Sequence, residues 1–548
     1  MIDWRKNLIL FSVFLFGAAV IGRLFYIQVI QGNFYRALAQ GQQKIFPQIL
    51  GERGEIFLEN GLPLAINRDW QLCFISPPEI QDEVRTANIL AALLNLEEDF
   101  VLKKIEQKET LFAILKHKLS EEEIKKLQEL KLAGVYLRKE SLREYPQGTL
   151  ASHIIGFLGG EEIGQYGVEG YYNEILEGKK ETVEQEKGPA GFLTFPLKKK
   201  ENQGSDLILT VDYDIQHQAE KLLKKANSNL RAEGGQILVI NPKSGKILAL
   251  AQEPQFDPNF YFQEKDFEIF QNALIQKIFE PGSVFKPITM ATGLNEGKIT
   301  PETTYRDPGE IKIGGYTIYN YEQRIYPGEI SMTEVLEKSI NSGAVFAQSQ
   351  IPHHIFLDYI KKFGIFERTG IDLQGEVFSE NEEFQKGYEI NFATASFGQG
   401  IEMTPIQLAQ AFTVFANEGK MVKPYIVEKF SENFDTTPKV VISSETTKKI
   451  TNMLISVVEN GFGKGAKIPG YWIAGKTGTA QVAEKGVYSA DKTWQTFVGY
   501  FPALSPQFLI LVKLDNPQTK TAEYSAVPIF HDLAEFIINL YQLPPDYE

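Results

Sequence analysis

The hydrophobic pattern of the chain opens with one long apolar run. LILFSVFLFGAAVIG (8–22) carries no charge, and after Arg23 the run resumes as LFYIQVI to Ile30. About 23 residues is close to the ~20 that cross a bilayer as a helix. Arg5 and Lys6 precede the run, and beyond Arg23 the next basic residue is Arg36. The positive side is therefore N-terminal and the remainder is expected outside the cytoplasm, with Arg23 able to snorkel to the headgroups. A cleaved signal peptide is the rival, but apolar sequence continues well past the small residues 17–19 where cleavage would fall. The expectation is a cytoplasmic tail (1–6) and a single membrane-spanning helix (7–30) in the cytoplasmic (inner) membrane.

Shorter periods follow. GERGEIFLENGLPLAIN (51–67) sets two apolar runs around Glu59, Asn60 and Gly61, which is a hairpin signal. SEEEIKKLQEL (120–130) has Ser120 and Glu123 at capping-box spacing and reads as an exposed helix. FPLKKKENQGSD (195–206) is polar and contains glycine, so a domain boundary is placed there. LILTV (207–211) reads as a strand leading into a helical pattern, and GGQILVINPKSGKILALA (234–251) alternates around a turn at 241–245. Helical and loop-rich sequence runs to about Asn460. GYWIAGKTGTAQV (470–482), TFVGYFP and FLILVKL are then short β-rich runs. Strands, helices and strands again predict one sheet shared by strands from both ends of this region.

Composition narrows the class. With 548 residues, 43% hydrophobic and 23% charged, the chain is folded and too long for one core. A net charge of −14 argues against nucleic acid, whose phosphates need a dense basic patch. A single cysteine, Cys73, excludes an intramolecular disulfide and a Cys-rich metal site, and no His-Glu-x-x-His zinc motif occurs. No metal or cofactor is expected.

The candidate chemistry lies in EPGSVFKPITMATGL (280–294). Ser283 stands three residues before Lys286, the only charge between Glu280 and Glu296. On a helix the two share a face, and Pro281 suits the approach to a helix N-terminus. A serine hydroxyl is a poor nucleophile until a base takes its proton. A lysine can be that base once burial or a second cation pulls it below its free pKa of about 10.4. The plain alternative is a capped helix with one lysine whose stem is buried. The same spacing recurs at Ser489–Lys492, in polar, loop-like sequence. Two elements tip the balance. KSINSG supplies Ser339 and Asn341 after a helix-like run from Met332, and KTGT (476–479) sits in strand-like sequence. SEN at Ser379 and at Ser431, and KSG at Lys243, are decoys in turns or charged loops. S-x-x-K, S-x-N and K-T-G in that order are the signature of class A β-lactamases and penicillin-binding proteins. GYWIAGKT (470–477) formally fits a Walker A loop, but its interior is bulky and its continuation strand-like, whereas a P-loop opens a helix.

With these motifs the chain resembles, over nearly its whole length, the class B penicillin-binding proteins, the monofunctional D,D-transpeptidases of bacterial cell-wall synthesis. GRLFYIQV resembles the end of the family's membrane segment. RGEIFLENG resembles its R-G-x-I-x-D-R-x-G box, with Leu58 and Glu59 in place of the usual Asp-Arg. REYPQGTLASHIIGF and GQYGVEGYYNEILEG resemble pedestal motifs. FDPN, PGSVFKP, SINSG, FGQGIEMTPIQLAQAF and AGKTGTAQ resemble transpeptidase signatures. The resemblance implies an α+β fold: a serine D,D-peptidase/β-lactamase-like domain (205–548), with an antiparallel sheet flanked by helices, after an elongated mixed α/β pedestal (31–204) and the transmembrane helix. It implies Ser283 as nucleophile, Lys286 as its base and Ser339 as proton relay to the leaving amine. Asn341 would orient Lys286 and the substrate amide. Lys476 would favour a neutral Lys286 and attract the substrate carboxylate. Thr477, Gly478 and Thr479 would bind that carboxylate, and the backbone N–H groups of Ser283 and Thr479 would form an oxyanion hole. The implied partners are peptidoglycan stem peptides, β-lactams, the membrane and a polytopic SEDS-type glycosyltransferase. The FGQG and TPIQLAQAF stretch looks more like the septal branch than the elongation branch. A β-lactamase or D,D-carboxypeptidase on the same fold, and a non-catalytic penicillin sensor or scaffold, stay open alternatives here.

Overall fold

The computed structural model describes residues 3–30, 48–49, 52–178, 181–182, 203–428, 437–484 and 487–547. The chain divides into two compact units. One comprises Met1–Gly54, Ile66–Glu144 and Glu177–Ser205, and the other Glu55–Ala65, Tyr145–Leu176 and Asp206–Glu548.

In the first unit, helix α1 (Asp3–Phe25) runs through the N-terminal apolar sequence and continues as a π-turn to Ile30. The side chains of residues 3–10, 12, 29 and 30 lie outside the described ones. Among the described residues no helix is long and apolar enough to cross a membrane. Strand β1 (Pro63–Ile75), whose part from Ile66 belongs to this unit, pairs through Cys73, Phe74 and Ile75 with β2 (Ala113–Lys116), and from Ile66 onward with β3 (Val135–Glu144), both antiparallel. Helices α2 (Glu83–Leu94) and α3 (Glu121–Leu130) lay Ala87, Leu90, Leu94 and Leu127 against Cys73 and Ile75. The capping box of α3, Ser120 with Glu123, forms as its spacing predicts. Burial pushes the Cys73 thiol up to about 12, so it is an inert core group.

The second unit holds the candidate chemistry. Its N-terminal piece is the anticipated hairpin, with Ile56–Leu58 against Pro63 and Ala65 and a turn at Gly61 (φ +81°); the same strand pairs in parallel with Leu207–Leu209. Helix α4 (Tyr213–Leu230), capped by Asp212, leads into β4 (Gly234–Ile240) and β5 (Ile247–Glu253). Near the other end of the unit come β6 (Ala474–Glu484), β7 (Val487–Phe501) and β8 (Phe508–Asp515). The five form one antiparallel sheet in the order β5-β4-β8-β7-β6, with Gly234 opposite Asp515. Strands from both ends of the region therefore share a sheet, as the sequence predicts.

The sheet is buried on both faces, and alternation decides which residue serves which. Ile237 and Val239 of β4, with Ile510 and Val512 of β8, face α4 and α10 (Ala526–Tyr541). Leu238, Ile240, Leu509 and Leu511 face the opposite layer, built from α5 (Lys286–Asn295), α8 (Pro405–Ala416) and α9 (Ser444–Asn460). Every residue of α5 from Lys286 to Leu294 is buried. A helix enclosed on all sides has to be apolar all round, which accounts for the uncharged sequence around Lys286. Each buried Phe, Ile or Leu there contributes roughly 1.5–3 kcal/mol.

Candidate active site

Ser283 lies in a 3₁₀ turn, Gly282–Phe285, that winds directly into α5. Residues i and i+3 nearly eclipse on such a turn, and Lys286 Nζ comes 3.0 Å from Ser283 Oγ. The turn depends on two glycines. Gly282 has φ +59°, and Gly398 (φ +80°) approaches so closely that a Cβ on it would stand 2.1 Å from the Gly282 carbonyl oxygen. Gly282 N–H donates to the Gly398 carbonyl at 2.9 Å.

Ser339 and Asn341 lie where α6 (Met332–Glu337) gives way to α7 (Asn341–Ser349). Ser339 has φ +55°, a left-handed conformation rare for a residue with a Cβ. That twist aims both its carbonyl and its hydroxyl at Lys286 Nζ, at 2.6 and 3.2 Å. Asn341 Oδ1 accepts from the same Nζ at 2.8 Å, and Asn341 Nδ2 donates to the Tyr319 carbonyl at 3.0 Å, which fixes the amide's orientation. The next residue, Ser342, is tied to Asn320 and Asp307.

Lys476 sits inside β6, opposite Val498 of β7. Its Nζ donates to Ser339 Oγ at 3.0 Å and to the Thr477 carbonyl at 2.9 Å. The glycine of K-T-G has a steric reason: a Cβ on Gly478 would stand 3.0 Å from the Pro281 carbonyl oxygen and from Val284 Cγ1. β6 therefore packs directly on the turn that carries Ser283. Thr477 Oγ1 lies 3.3 Å from Lys476 Nζ, and Thr479 Oγ1 accepts from Ala522 N–H at 3.2 Å.

Both lysines are fully buried. Burial, reinforced by the Lys476 charge, holds Lys286 well below the ordinary lysine range, and burial alone lowers Lys476 to about 7. A neutral Lys286 has two N–H donors and one lone pair. With the donors on the Ser339 carbonyl and Asn341 Oδ1, its shortest contacts, the lone pair is left for the Ser283 hydroxyl.

The site so assembled sets a serine hydroxyl against a buried lysine amine, and comparison with known proteins gives the chain its family. A model of the penicillin binding protein transpeptidase domain matches residues 235–535, and one of the penicillin-binding protein dimerisation domain matches 48–209. The chain belongs to the class B penicillin-binding proteins. It is 34% identical to stage V sporulation protein D of Bacillus subtilis, over 94% of this chain and 82% of that one. It is 30% identical to a peptidoglycan D,D-transpeptidase FtsI homolog of Mesostigma viride, over 99% and 97%. The crystal structure of penicillin binding protein 3 from Mycobacterium tuberculosis complexed with ampicillin superposes with a TM-score of 0.71 at 25% identity, covering 91% of this chain and 98% of that one. The α+β transpeptidase fold with its dimerisation domain is that of this family.

The S-x-x-K, S-x-N and K-T-G residues of this penicillin-binding protein converge on Lys286 or flank it. The decoys do not. Ser489 and Lys492 lie within β7, a strand rather than the loop their polarity suggests, and Lys492 N–H donates locally to Ser489 Oγ at 3.2 Å. Ser379 donates to Glu402, and Lys243 belongs to the turn between β4 and β5. Ser431 lies outside the described residues. The Walker-like lysine lies within β6, which runs on as strand to Glu484 instead of opening a helix. In FDPN, Asn259 exchanges two hydrogen bonds with the Tyr145 backbone at 3.0 and 2.9 Å. Sequence reasoning missed Glu280 and Tyr488. Glu280 is buried three residues before the nucleophile, accepting from Gly400 N–H at 3.0 Å and from Tyr488 Oη at 3.1 and 3.2 Å. A carboxylate within an otherwise apolar run was the only available signal.

Proposed function

We infer that the protein is a peptidoglycan D,D-transpeptidase that cross-links stem peptides through an acyl-enzyme on Ser283 and is acylated there by β-lactams. The observation that carries this reading is Lys286 Nζ, buried, its pKa held well below the ordinary lysine range, 3.0 Å from Ser283 Oγ. Ser283 Oγ attacks the carbonyl carbon of the penultimate D-Ala while its proton passes to Lys286 Nζ. The N–H groups of Ser283 and Thr479 hold the oxyanion, a contribution of about 3–4 kcal/mol for each donor. Ser339 Oγ, 3.2 Å from Lys286 Nζ and 3.0 Å from Lys476 Nζ, passes a proton to the leaving amine, and the terminal D-Ala departs. An amine of a neighbouring stem peptide then attacks the ester. Its proton returns to Ser283 through the same lysine, and the amide cross-link forms. Lys476, with Thr477, Gly478 and Thr479, receives the donor peptide's terminal carboxylate.

In this reading residues 1–6 are cytoplasmic, 7–30 anchor the chain in the cytoplasmic membrane, 31–204 form the pedestal and 205–548 work outside. The apolar run 8–22 and the basic pair Arg5 and Lys6 support that orientation. The work is septal, beside a SEDS-type glycosyltransferase. Intact-mass analysis after benzylpenicillin treatment, with peptide mapping, is the test. A lasting adduct on the peptide bearing Ser283, lost in Ser283→Ala, is expected. An adduct elsewhere overturns the assignment, and rapid turnover of the drug makes the protein a β-lactamase instead.

A further inference from the structure

The Glu280 carboxylate joins three segments that are far apart in sequence. Its own backbone is fixed by the neighbouring pair Phe279 and Met403, whose N–H and carbonyl groups exchange hydrogen bonds at 2.9 and 3.0 Å. Its side chain takes Gly400 N–H from the FGQG turn and the Tyr488 hydroxyl from the outer end of β7. Tyr488 stands opposite Ala483, four residues beyond Thr479 along β6, or about 13 Å at strand spacing. Between those two rungs the ladder slips, at Gln481–Ala483. β6 is also the edge of the sheet, so past the slip the β6–β7 arm gains no neighbouring strand; besides its own pairing it has the ion pair of Lys492 with Glu233 at 4.0 Å. Among the described residues, the hydrogen bond that ties the arm to the segment carrying Ser283 is the Tyr488–Glu280 contact.

We propose that Glu280 and Tyr488 form a latch that holds the β6–β7 arm on the nucleophile turn and so sets the spacing between the backbone amides of Ser283 and Thr479. Both are positioning residues, since neither reaches the reacting atoms. The proposal rests on the transpeptidase reading and concerns only how its oxyanion site is held. The latch needs the charge on Glu280, because N–H and O–H donors bind a carboxylate about twice as strongly as a neutral acceptor. The titratable groups that face Glu280 are Tyr488 on β7 and Glu402 just beyond the FGQG turn; among the described residues no cation reaches it. Burial, with the Glu402 charge, raises its pKa above the ordinary glutamate value. The latch therefore loosens as pH falls through that raised value. The buried charge also costs stability, so removing it does not weaken the fold at neutral pH.

The test uses the full chain, with benzylpenicillin acylation followed by mass spectrometry from pH 4.5 to 9 and thermal unfolding alongside. Tyr488→Phe keeps the ring and removes one hydroxyl; acylation is expected to slow about tenfold, the worth of a hydrogen bond to a charged group. Glu280→Gln keeps an acceptor without the charge. It is expected to acylate more slowly on the alkaline side of the profile, to lose part of the acid-side fall seen in the wild type, and to melt no lower than the wild type. Wild-type rates in both variants at every pH overturn the latch. So does a slowing matched by an equal loss of melting temperature with an unchanged pH profile, which marks a merely structural contact. Failure of the wild type to label at Ser283 is a different result and removes the transpeptidase reading itself.

Discussion

Replacing Lys476 by Met should move the acid side of the acylation profile to higher pH. The Nζ atoms of Lys286 and Lys476 lie 3.2 and 3.0 Å from the same Ser339 Oγ, so they are at most about 6 Å apart. At that distance two unit charges repel by about 0.7 kcal/mol at the dielectric constant of water and by about 2.8 kcal/mol at an effective value of 20. At about 1.4 kcal/mol per tenfold, removing one charge raises the pKa of the other by about 0.5 to 2. Lys476 is itself lowered to about 7, so its push on Lys286 is complete only below that pH. If Lys476 also receives the substrate carboxylate, as proposed, that loss shows as a vertical drop rather than a displacement along the pH axis. The assay is the second-order rate of acylation by a fluorescent penicillin from pH 5 to 10. Lys476→Met should shift the limb upward by at least about half a pH unit, while Lys476→Arg, which keeps the charge, should leave it in place. An unmoved limb in Lys476→Met would refute the claim that this ammonium keeps the base neutral.

Three further outcomes are expected. Asn341→Asp puts a carboxylate 2.8 Å from Lys286 Nζ, which favours the ammonium; acylation at pH 7 should fall further than in Asn341→Ala, by about a hundredfold or more. Gly398→Ala drives a Cβ into the Gly282 carbonyl and should cost more than about 3 kcal/mol in urea unfolding, with penicillin labelling lost in proportion. His153 is buried and held neutral, its pKa lowered from 6.5 to about 4, mainly by desolvation. Its contribution is therefore full above pH 6.5 and is lost as pH falls toward 4, by about 3 kcal/mol at most; His153→Leu should flatten that part of the stability–pH curve.

The three motifs are legible in the sequence because each is short and its geometry is local. Ser283 and Lys286 meet through one turn, and Ser339 and Asn341 flank one residue. The sheet is legible because its strands alternate strongly, and order along the chain already suggests strands from both ends. Other features leave no periodic trace. The left-handed backbone of Ser339 is imposed by the tertiary contacts around it, not by serine. The meeting of Glu280 with Tyr488 joins residues 208 positions apart, and a lone carboxylate in an apolar run does not name its partner. Ser489–Lys492 misleads in the opposite sense: polar side chains suit a loop, yet β7 carries them on an arm that is only partly covered.

The pairing of Gly234 with Asp515 also has a consequence in time. A chain leaves the ribosome N-terminus first, and β4 emerges about 280 residues before the strand that lies beside it. Closing a loop of that length costs about 5 kcal/mol before any contact rewards it. The base on α5 and the cation on β6 consequently cannot be brought together until synthesis is nearly finished. A ribosome stalled before β8 should hold a nascent chain that benzylpenicillin does not label, although Ser283 and Lys286 were made long before.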